Sequence, residues 1–347
     1  MKALSLFTNV GLGETYLPAL DVEVVVANEM LPDRARFYSL RNPDVEMVVG
    51  DITDIEVKQD IIRRSLAEGV ELIIATPPCQ GFSAANTTGD KDDERNNLIN
   101  DVVDVVKATK PAFVLIENVR GSAKNVLPII FEELGGRGGY VIREKVLDAA
   151  YYGTPHHRAR LIILLSRNDK EVWEHPPNDG KTISCRQVIG HLPSLEAGES
   201  TPLHFHSLEH KRTPARHSKW LSYTPEGKSA LHNKVHYPEK DGRRIRAFGS
   251  SYARNWWDKP AFTITMTNGS LSSSHNCCPP HFQNKDGTWS DARPFTIKEL
   301  TLLCGLPENW LDEIEHTPKT EKFLREVIGE CFPPMFCYEI VKVLMDE

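Results

Sequence analysis

Short apolar runs alternate with amphipathic stretches through the first third of the chain. Ala3–Phe7, Val22–Ala27, Val45–Val49, Leu72–Ala75 and Phe113–Ile116 read as strands, with helical periods over Ile55–Leu66 and Asn97–Ala108 between some of them. Strand, helix, strand at this spacing builds βαβ units, and so an α/β chain whose mainly parallel sheet is covered on both faces. Right-handed crossovers then bring the carboxyl ends of the strands to one rim, where such sheets bind ligands.

Tyr140–Leu147 and Leu161–Leu165 read as two further strands, separated by the polar turn Tyr152-Gly153-Thr154-Pro155-His156-His157. The texture changes after Arg167: from Glu174 to about Asp291 the chain is rich in Pro, His, Ser and Arg, which predicts a smaller domain of short strands and loops. A helical pattern returns at Thr296–Leu303, and Met335–Leu344 is an amphipathic helix after Pro333-Pro334. Boundaries are expected near 170, 291 and 317. The 347 residues suit about two domains. No apolar run approaches the roughly 18 residues of a membrane span, and no leader pattern follows Met1-Lys2, so a cytoplasmic protein without a membrane partner is expected. Seven cysteines, an odd number spread along the chain, fit reduced thiols rather than a disulfide framework.

Several polar features fall at the predicted strand ends. Phe7-Thr8-Asn9-Val10-Gly11-Leu12-Gly13 follows the first strand as a glycine-bearing turn, Glu29-Met30 ends the second, and Asp51-Ile52 follows the third. Singly, each reads equally as an ordinary turn, loop charge or helix cap. Together on one rim they fit a nucleoside-containing cofactor: backbone N–H groups approach it at the turn, and carboxylates accept from ribose hydroxyls or an amino group. The fourth strand runs into Thr76-Pro77-Pro78-Cys79-Gln80-Gly81-Phe82-Ser83, and the fifth into Glu117-Asn118-Val119. Cys79 reads either as a small buried hydrophobe or as a rim thiol. Two stiffening prolines and a carboxylate one strand along favour a nucleophile beside a proton-handling group.

These motifs, in this order, resemble the DNA cytosine-5 methyltransferases. Pro78-Cys79-Gln80 resembles that family's nucleophile motif, Glu117-Asn118-Val119 its Glu-Asn-Val motif, and His156-His157-Arg158-Ala159-Arg160 its Gln-x-Arg-x-Arg motif. Phe7–Gly13, Asn28-Glu29 and Gly50-Asp51-Ile52 resemble its S-adenosylmethionine motifs. Arg293–Glu299 resembles the motif bracing the target-recognition domain, and Gly329-Glu330-Cys331-Phe332-Pro333-Pro334 the closing motif that returns to the cofactor. The chain departs from the family pattern at Asn9, which tolerates the left-handed backbone a glycine would supply there, at His156 in place of Gln, and at Glu330 in place of Asn.

The resemblance implies a class I S-adenosylmethionine-dependent methyltransferase fold: a catalytic domain over 1–170, a target-recognition domain over 171–291, a bracing segment over 292–317 and a return over 318–347. It implies that Cys79 adds to C6 of cytosine, that a protonated Glu117 relieves the charge reaching N3, and that Arg160 contacts O2 while Arg158 anchors backbone or carboxylates. Phe7, Asn9, Val10, Gly11, Gly13, Glu29, Met30, Asp51, Ile52, Pro78 and Glu330 would line the cofactor, with Gln80 and Ser83 against DNA. A thiol with a pKa near ~8.5 is only slightly ionised at neutral pH, so nearby positive charge should assist. The target base has to leave the duplex, and the polar Gly81–Arg95 suits a loop that closes over it.

The expected partner is double-stranded DNA, bound by a monomer, with a cognate restriction endonuclease acting separately. The alternatives are the same chemistry on transfer RNA, a non-catalytic DNA-binding protein and a nicotinamide-dependent dehydrogenase. About 120 residues between Arg167 and Arg293 favour duplex reading. The family's RNA-methylating member carries Cys-Phe-Thr, where this chain has only Cys331-Phe332-Pro333. Intact Cys79 and Glu117 oppose a non-catalytic protein, and the first turn lacks a full Gly-x-Gly-x-x-Gly. No metal is expected: neither the histidines 204, 206, 210 and 217 nor the group His275, Cys277, Cys278, His281 has paired Cys-x-x-Cys spacing, and sulfonium methyl transfer requires none. Trp256-Trp257 reads as second-domain core. The net charge of −7 hides a window, Leu203–Lys259, of +7 against −14 elsewhere. Within it Arg243, Arg244 and Arg246 are expected on phosphates.

Overall fold

In the computed structural model, residues 1–78, 98–136, 139–210, 213–247, 249–272 and 276–345 are described. They form two compact units: Met1–Asp148 with Ala159–Asn178 and Pro334–Glu347, and Ala149–Arg158 with Asp179–Pro333. Residues 318–333, expected with the returning tail, therefore pack within the second unit.

The first unit is built on a seven-stranded sheet: β1 (Lys2–Leu6), β2 (Glu23–Glu29), β3 (Glu46–Val49), β4 (Leu72–Ala75), β5 (Phe113–Val119), β6 (Tyr140–Asp148) and β7 (Ala159–Arg167), in spatial order 3-2-1-4-5-7-6. The first five are parallel, and β7 inserts antiparallel between β5 and β6. The predicted strands are all present. The chain turns from one half of the sheet to the other between β1 and β4, so the turns after these two strands flank the crevice where open α/β sheets take ligands.

Helices α1 (Pro32–Arg41), α2 (Ile55–Glu68), α3 (Leu98–Thr109), α4 (Ala123–Leu134) and, from the far end of the sequence, α9 (Pro334–Met345) complete this unit. Asp54 caps α2 by accepting from the Glu56 N–H, and left-handed Gly69 ends it. The core joins Leu4, Val26, Ile73, Val102, Val114 and Ile163, all essentially inaccessible. α9 packs on the short 3-10 turns Leu12–Glu14 and Leu17–Leu20, and its Ile340 carbonyl accepts from Trp173 Nε1 at 3.1 Å.

The second unit has less regular structure: α5 (Cys185–Ile189), α6 (Ala215–Ser222), a hairpin of β8 (Glu239–Lys240) and β9 (Arg243–Arg244), α7 (Ile297–Leu303) and α8 (Pro318–Glu330). Asp241-Gly242 turns the hairpin with both residues left-handed, as a two-residue hairpin turn requires. Its interior is polar as well as apolar. Buried Arg293 donates to both oxygens of Glu299 (2.8 and 2.9 Å) and to Asp291 Oδ1 (2.9 Å), and Asp291 also accepts from Ser194, Ser290 and His281. Glu299 closes a capping box with Thr296 at the start of α7. Trp257 is core, donating from Nε1 to the Pro280 carbonyl at 2.7 Å, whereas Trp256 is half-buried beneath Lys259.

Among the described residues, no helix is long and apolar enough to cross a membrane.

Candidate active site

Two of the expected reactive side chains meet on the sheet. Glu117 lies near the end of β5, and Arg160 opens β7, whose register sets it opposite Val119. Residues two apart on facing antiparallel strands share a face, so the two side chains meet diagonally. Arg160 Nε lies 2.8 Å from Glu117 Oε1, with both side chains largely shielded from solvent. Next to Glu117, the Asn118 amide donates to the Pro77 carbonyl at 3.3 Å while its Oδ1 accepts from the Val119 N–H. The carboxylate strand is thereby tied to the segment entering Pro78, which is exposed. Sequence reading quoted Asn118 without giving it a role; its bridge depends on the adjacency of β4 and β5. Cys79, Gln80, Ser83 and the Gly81–Arg95 stretch lie outside the described residues.

The described cysteines are reduced and buried. Burial pushes the Cys185 and Cys277 thiols up to about 12 and the Cys278 thiol up as well. They make poor nucleophiles at neutral pH.

Arg158 has other partners. It belongs to the second unit, is buried, and donates from Nη1 to the Ile264 and Gly329 carbonyls, both at 3.2 Å. Both of these acceptors are backbone carbonyls. His156 is also interior, with Nδ1 2.8 Å from the Leu303 carbonyl at the end of α7. Half-buried Glu330 ends α8 beside Gly329, where a Cβ would come within 2.5 Å of the Met266 nitrogen.

The turn after β1 adopts an unusual backbone. Phe7 (φ 59°), Asn9 (φ 55°) and Gly11 (φ 78°) are all left-handed, so Asn9 does what its tolerance for this region allowed. A Cβ at Gly11 would come within 2.7 Å of the Tyr38 ring. Val10 is buried, and Gly13 continues in the 3-10 turn. At the end of β2, Glu29 Oε2 accepts from the Asn9 N–H and Oε1 from the Leu31 N–H, each at 2.9 Å. This fastens the turn to the neighbouring strand and occupies one lone pair on each oxygen. Asp51 is exposed, with Oδ1 accepting from the Thr53 N–H at 3.0 Å; Ile52 is buried and Met30 about half exposed.

Carboxylates at the ends of β2 and β3, a close-approach glycine and apolar faces at Phe7 and Met30 make a donor and acceptor set suited to an adenosine. One further member was missed: half-buried Glu14 accepts from the Ser5 and Thr8 hydroxyls and, at 2.6 Å, from the Tyr38 hydroxyl. A carboxylate in a glycine-rich turn reads from sequence as a solvated charge.

Of the basic run, Arg243, Arg244 and Arg246 are all exposed. The Arg244 guanidinium also donates to the Leu231 and Asn233 carbonyls (2.5 and 2.8 Å) and lies over the Tyr237 ring, which helps hold the hairpin. Arg254, counted in the same basic window, is fully buried on the Cys278, Asp291 and Leu221 carbonyls. His206 bonds Thr296 and the Pro193 carbonyl, and His281 bonds Asp291. Glu209, His210 and His316 bring their ligand atoms within 4.8 Å of one another, with Glu209 and His210 exposed.

Comparison with known proteins places the chain in a family. The family model for C-5 cytosine-specific DNA methylases matches residues 1–346. Type II methyltransferase M1.HgaI of Avibacterium volantium is 39% identical over 100% of this chain and 99% of its own length. M.DdeI of Desulfomicrobium norvegicum is 31% identical over 88% and 79%. In fold, the chain is similar to a protein described as a DNA modification methyltransferase encoded within an Escherichia coli prophage (TM-score 0.70, 18% identity, 100% and 99% covered). It is also similar to the Dnmt2 methyltransferase of S. pombe (TM-score 0.66, 16% identity, 99% and 98% covered). The chain belongs to the C-5 cytosine-specific DNA methylases, enzymes that use S-adenosylmethionine to methylate cytosine in DNA.

Proposed function

We propose that the chain methylates C5 of a flipped-out cytosine within a specific duplex sequence, through a transient bond between Cys79 and C6. The observation that carries this reading is the Glu117–Arg160 pair, one strand along from Pro77, which Asn118 ties to it and which precedes Cys79 by two residues in the sequence. S-adenosylmethionine, when bound, supplies the methyl group that the activated C5 takes. Phe7, Asn9, Val10, Gly11, Gly13, Glu29, Met30, Asp51, Ile52 and Pro78 line its place, with Glu29 accepting from the ribose hydroxyls and Asp51 from the adenine amino group.

The thiolate of Cys79 adds to C6 and sends an electron pair through the ring toward N3. Glu117 holds a proton at N3, and Arg160 donates to O2; when the base enters, Arg160 passes from the carboxylate to a position shared with the base. After methylation a base, for which water suffices, takes the C5 proton, and the thiolate leaves to restore the ring. Arg158 positions the segment before β7 from its two carbonyl anchors. Gln80, Ser83, Arg243 and Arg246 contact DNA. Residues 171–291 select the sequence, 292–317 brace them, and the tail from Pro334 returns to the unit that holds the cofactor.

The relatives named as Type II methyltransferases support a place beside a restriction endonuclease that acts separately, with the enzyme working as a cytoplasmic monomer. DNA containing 5-fluorocytosine tests the chemistry: with no C5 proton to lose, the adduct persists and migrates with the protein. An adduct surviving in Cys79→Ala would refute the nucleophile, and faster methyl transfer to transfer RNA than to duplex DNA would refute the substrate.

A further inference from the structure

We infer that Glu14 is a positioning residue for the cofactor turn, an internal clamp that keeps Phe7–Gly13 in its ligand-ready shape. The inference rests on the cofactor lying at this turn. Two non-glycine residues here, Phe7 and Asn9, hold left-handed backbone, a conformation costing on the order of 1–3 kcal/mol each that persists only where surrounding bonds over-determine it. Glu14 supplies those bonds from below. Its Oε1 accepts from Ser5, on β1 before the turn, and from Thr8 within it; its Oε2 accepts from Tyr38 on α1.

Each of the three donors is buried, and each leads to a different part of the cradle. Thr8 is also held by its N–H to the Asn28 carbonyl, beside Glu29, and its own carbonyl accepts from the Gly11 N–H at 2.9 Å. The Tyr38 ring backs Gly11 so closely that a Cβ would collide with it. One carboxylate thus sets strand end, turn and helix together, and the 3-10 turn carrying it is covered by α9. Desolvation raises the Glu14 carboxyl while the three hydroxyl donors oppose the shift.

A clamp acts by keeping the binding-competent shape populated, so releasing it weakens apparent affinity by the lost fraction and leaves chemistry on the bound complex nearly untouched. Calorimetry with S-adenosylhomocysteine and duplex DNA methylation at saturating cofactor separate the two. Tyr38→Phe, which keeps the ring behind Gly11 and removes one donor, should raise Kd about three- to tenfold, and Glu14→Ala at least about tenfold, with kcat within about threefold. Glu14→Gln, retaining an acceptor oxygen, should fall between parent and Glu14→Ala. Folded variants binding within about twofold of the parent, or losing kcat with Kd unchanged, would overturn the clamp; if Glu14→Ala does not fold, Tyr38→Phe and Glu14→Gln decide. Glu29→Ala tests the location separately. If it too leaves Kd unchanged, the cofactor does not lie at this turn; if it weakens binding while Tyr38→Phe and Glu14→Gln do not, only the clamp fails.

Discussion

Arg160 Nε sits 2.8 Å from Glu117 Oε1 across the antiparallel seam between β5 and β7, the one place where the otherwise parallel half of the sheet meets a reversed strand. The reversal is what allows a residue at the start of β7 to reach one at the end of β5. Glu117→Gln keeps the shape and one acceptor for Arg160 but removes the acidic proton. The methylation rate in single turnover should fall about 10²–10⁴-fold, the usual worth of a positioned acid. Unfolding free energy should drop by no more than roughly 1–3 kcal/mol. An unchanged rate would remove Glu117 from the mechanism.

The two arginines of the Arg158-Ala159-Arg160 segment should separate cleanly. Arg158 donates to two buried carbonyls, a task a lysine performs poorly because it lacks the planar fork. Arg158→Lys should lower stability in urea by about 2–4 kcal/mol, from charged hydrogen bonds worth about 1.5–3 each. Arg160→Lys should leave the urea midpoint nearly in place and reduce the methylation rate. The reverse pattern would exchange their roles.

Acid should unfold the second unit through Asp291 and Glu299. Burial opposes ionisation of Asp291, but the His281 bond and the Arg293 charge outweigh it and hold the carboxyl below its ordinary 3.8; against the same burial, Arg293 lowers Glu299 below 4.5. With native values depressed, their contribution is fully present above these ordinary values and is lost as pH falls through them toward the native ones. Thermal unfolding followed by Trp fluorescence should therefore shift downward as pH drops below about 4.5. Asp291→Asn should cost about 3–5 kcal/mol at neutral pH, as breaking a buried pair does, and should flatten the acid limb.

Arg243, Arg246 and Arg244 are all exposed, and Arg244 also holds two backbone carbonyls. If the first two sit on phosphates, Arg243→Ala with Arg246→Ala should reduce the slope of log affinity against log salt by about 2. Arg244→Ala should instead lower the melting temperature, because the carbonyls of Leu231 and Asn233 lose their donor. Filter binding across a salt series, beside thermal unfolding of each variant, distinguishes them. An unaltered slope in the double variant would place DNA elsewhere.

The sheet was legible because its strands are apolar on both faces; Leu72–Ala75 appears with the predicted bounds. α1 was not, since only Ala35 and Tyr38 of its residues are buried and the rest reads as surface. α4 hides behind Pro128 in its interior. The rim residues Phe7, Glu29, Asp51 and Glu117 could be placed from strand ends alone. Glu14, Asn118, Arg244 and Arg254 could not: each is a polar side chain whose partners are backbone carbonyls or hydroxyls distant in sequence, and nothing local distinguishes such a group from one in water.

The second unit draws on two stretches of chain, Ala149–Arg158 and Asp179–Pro333, and this sets the terms for any attempt to transplant sequence preference between relatives. Exchanging 171–291 alone would strand a donor-bearing decapeptide from the host against foreign acceptors. The His157 N–H would lose the Ala261 carbonyl, and Arg158 the Ile264 carbonyl. A chimera that carries 149–158 together with 179–333 moves one folded body by its own seams, and under the proposed role of 171–291 its target preference should travel with it.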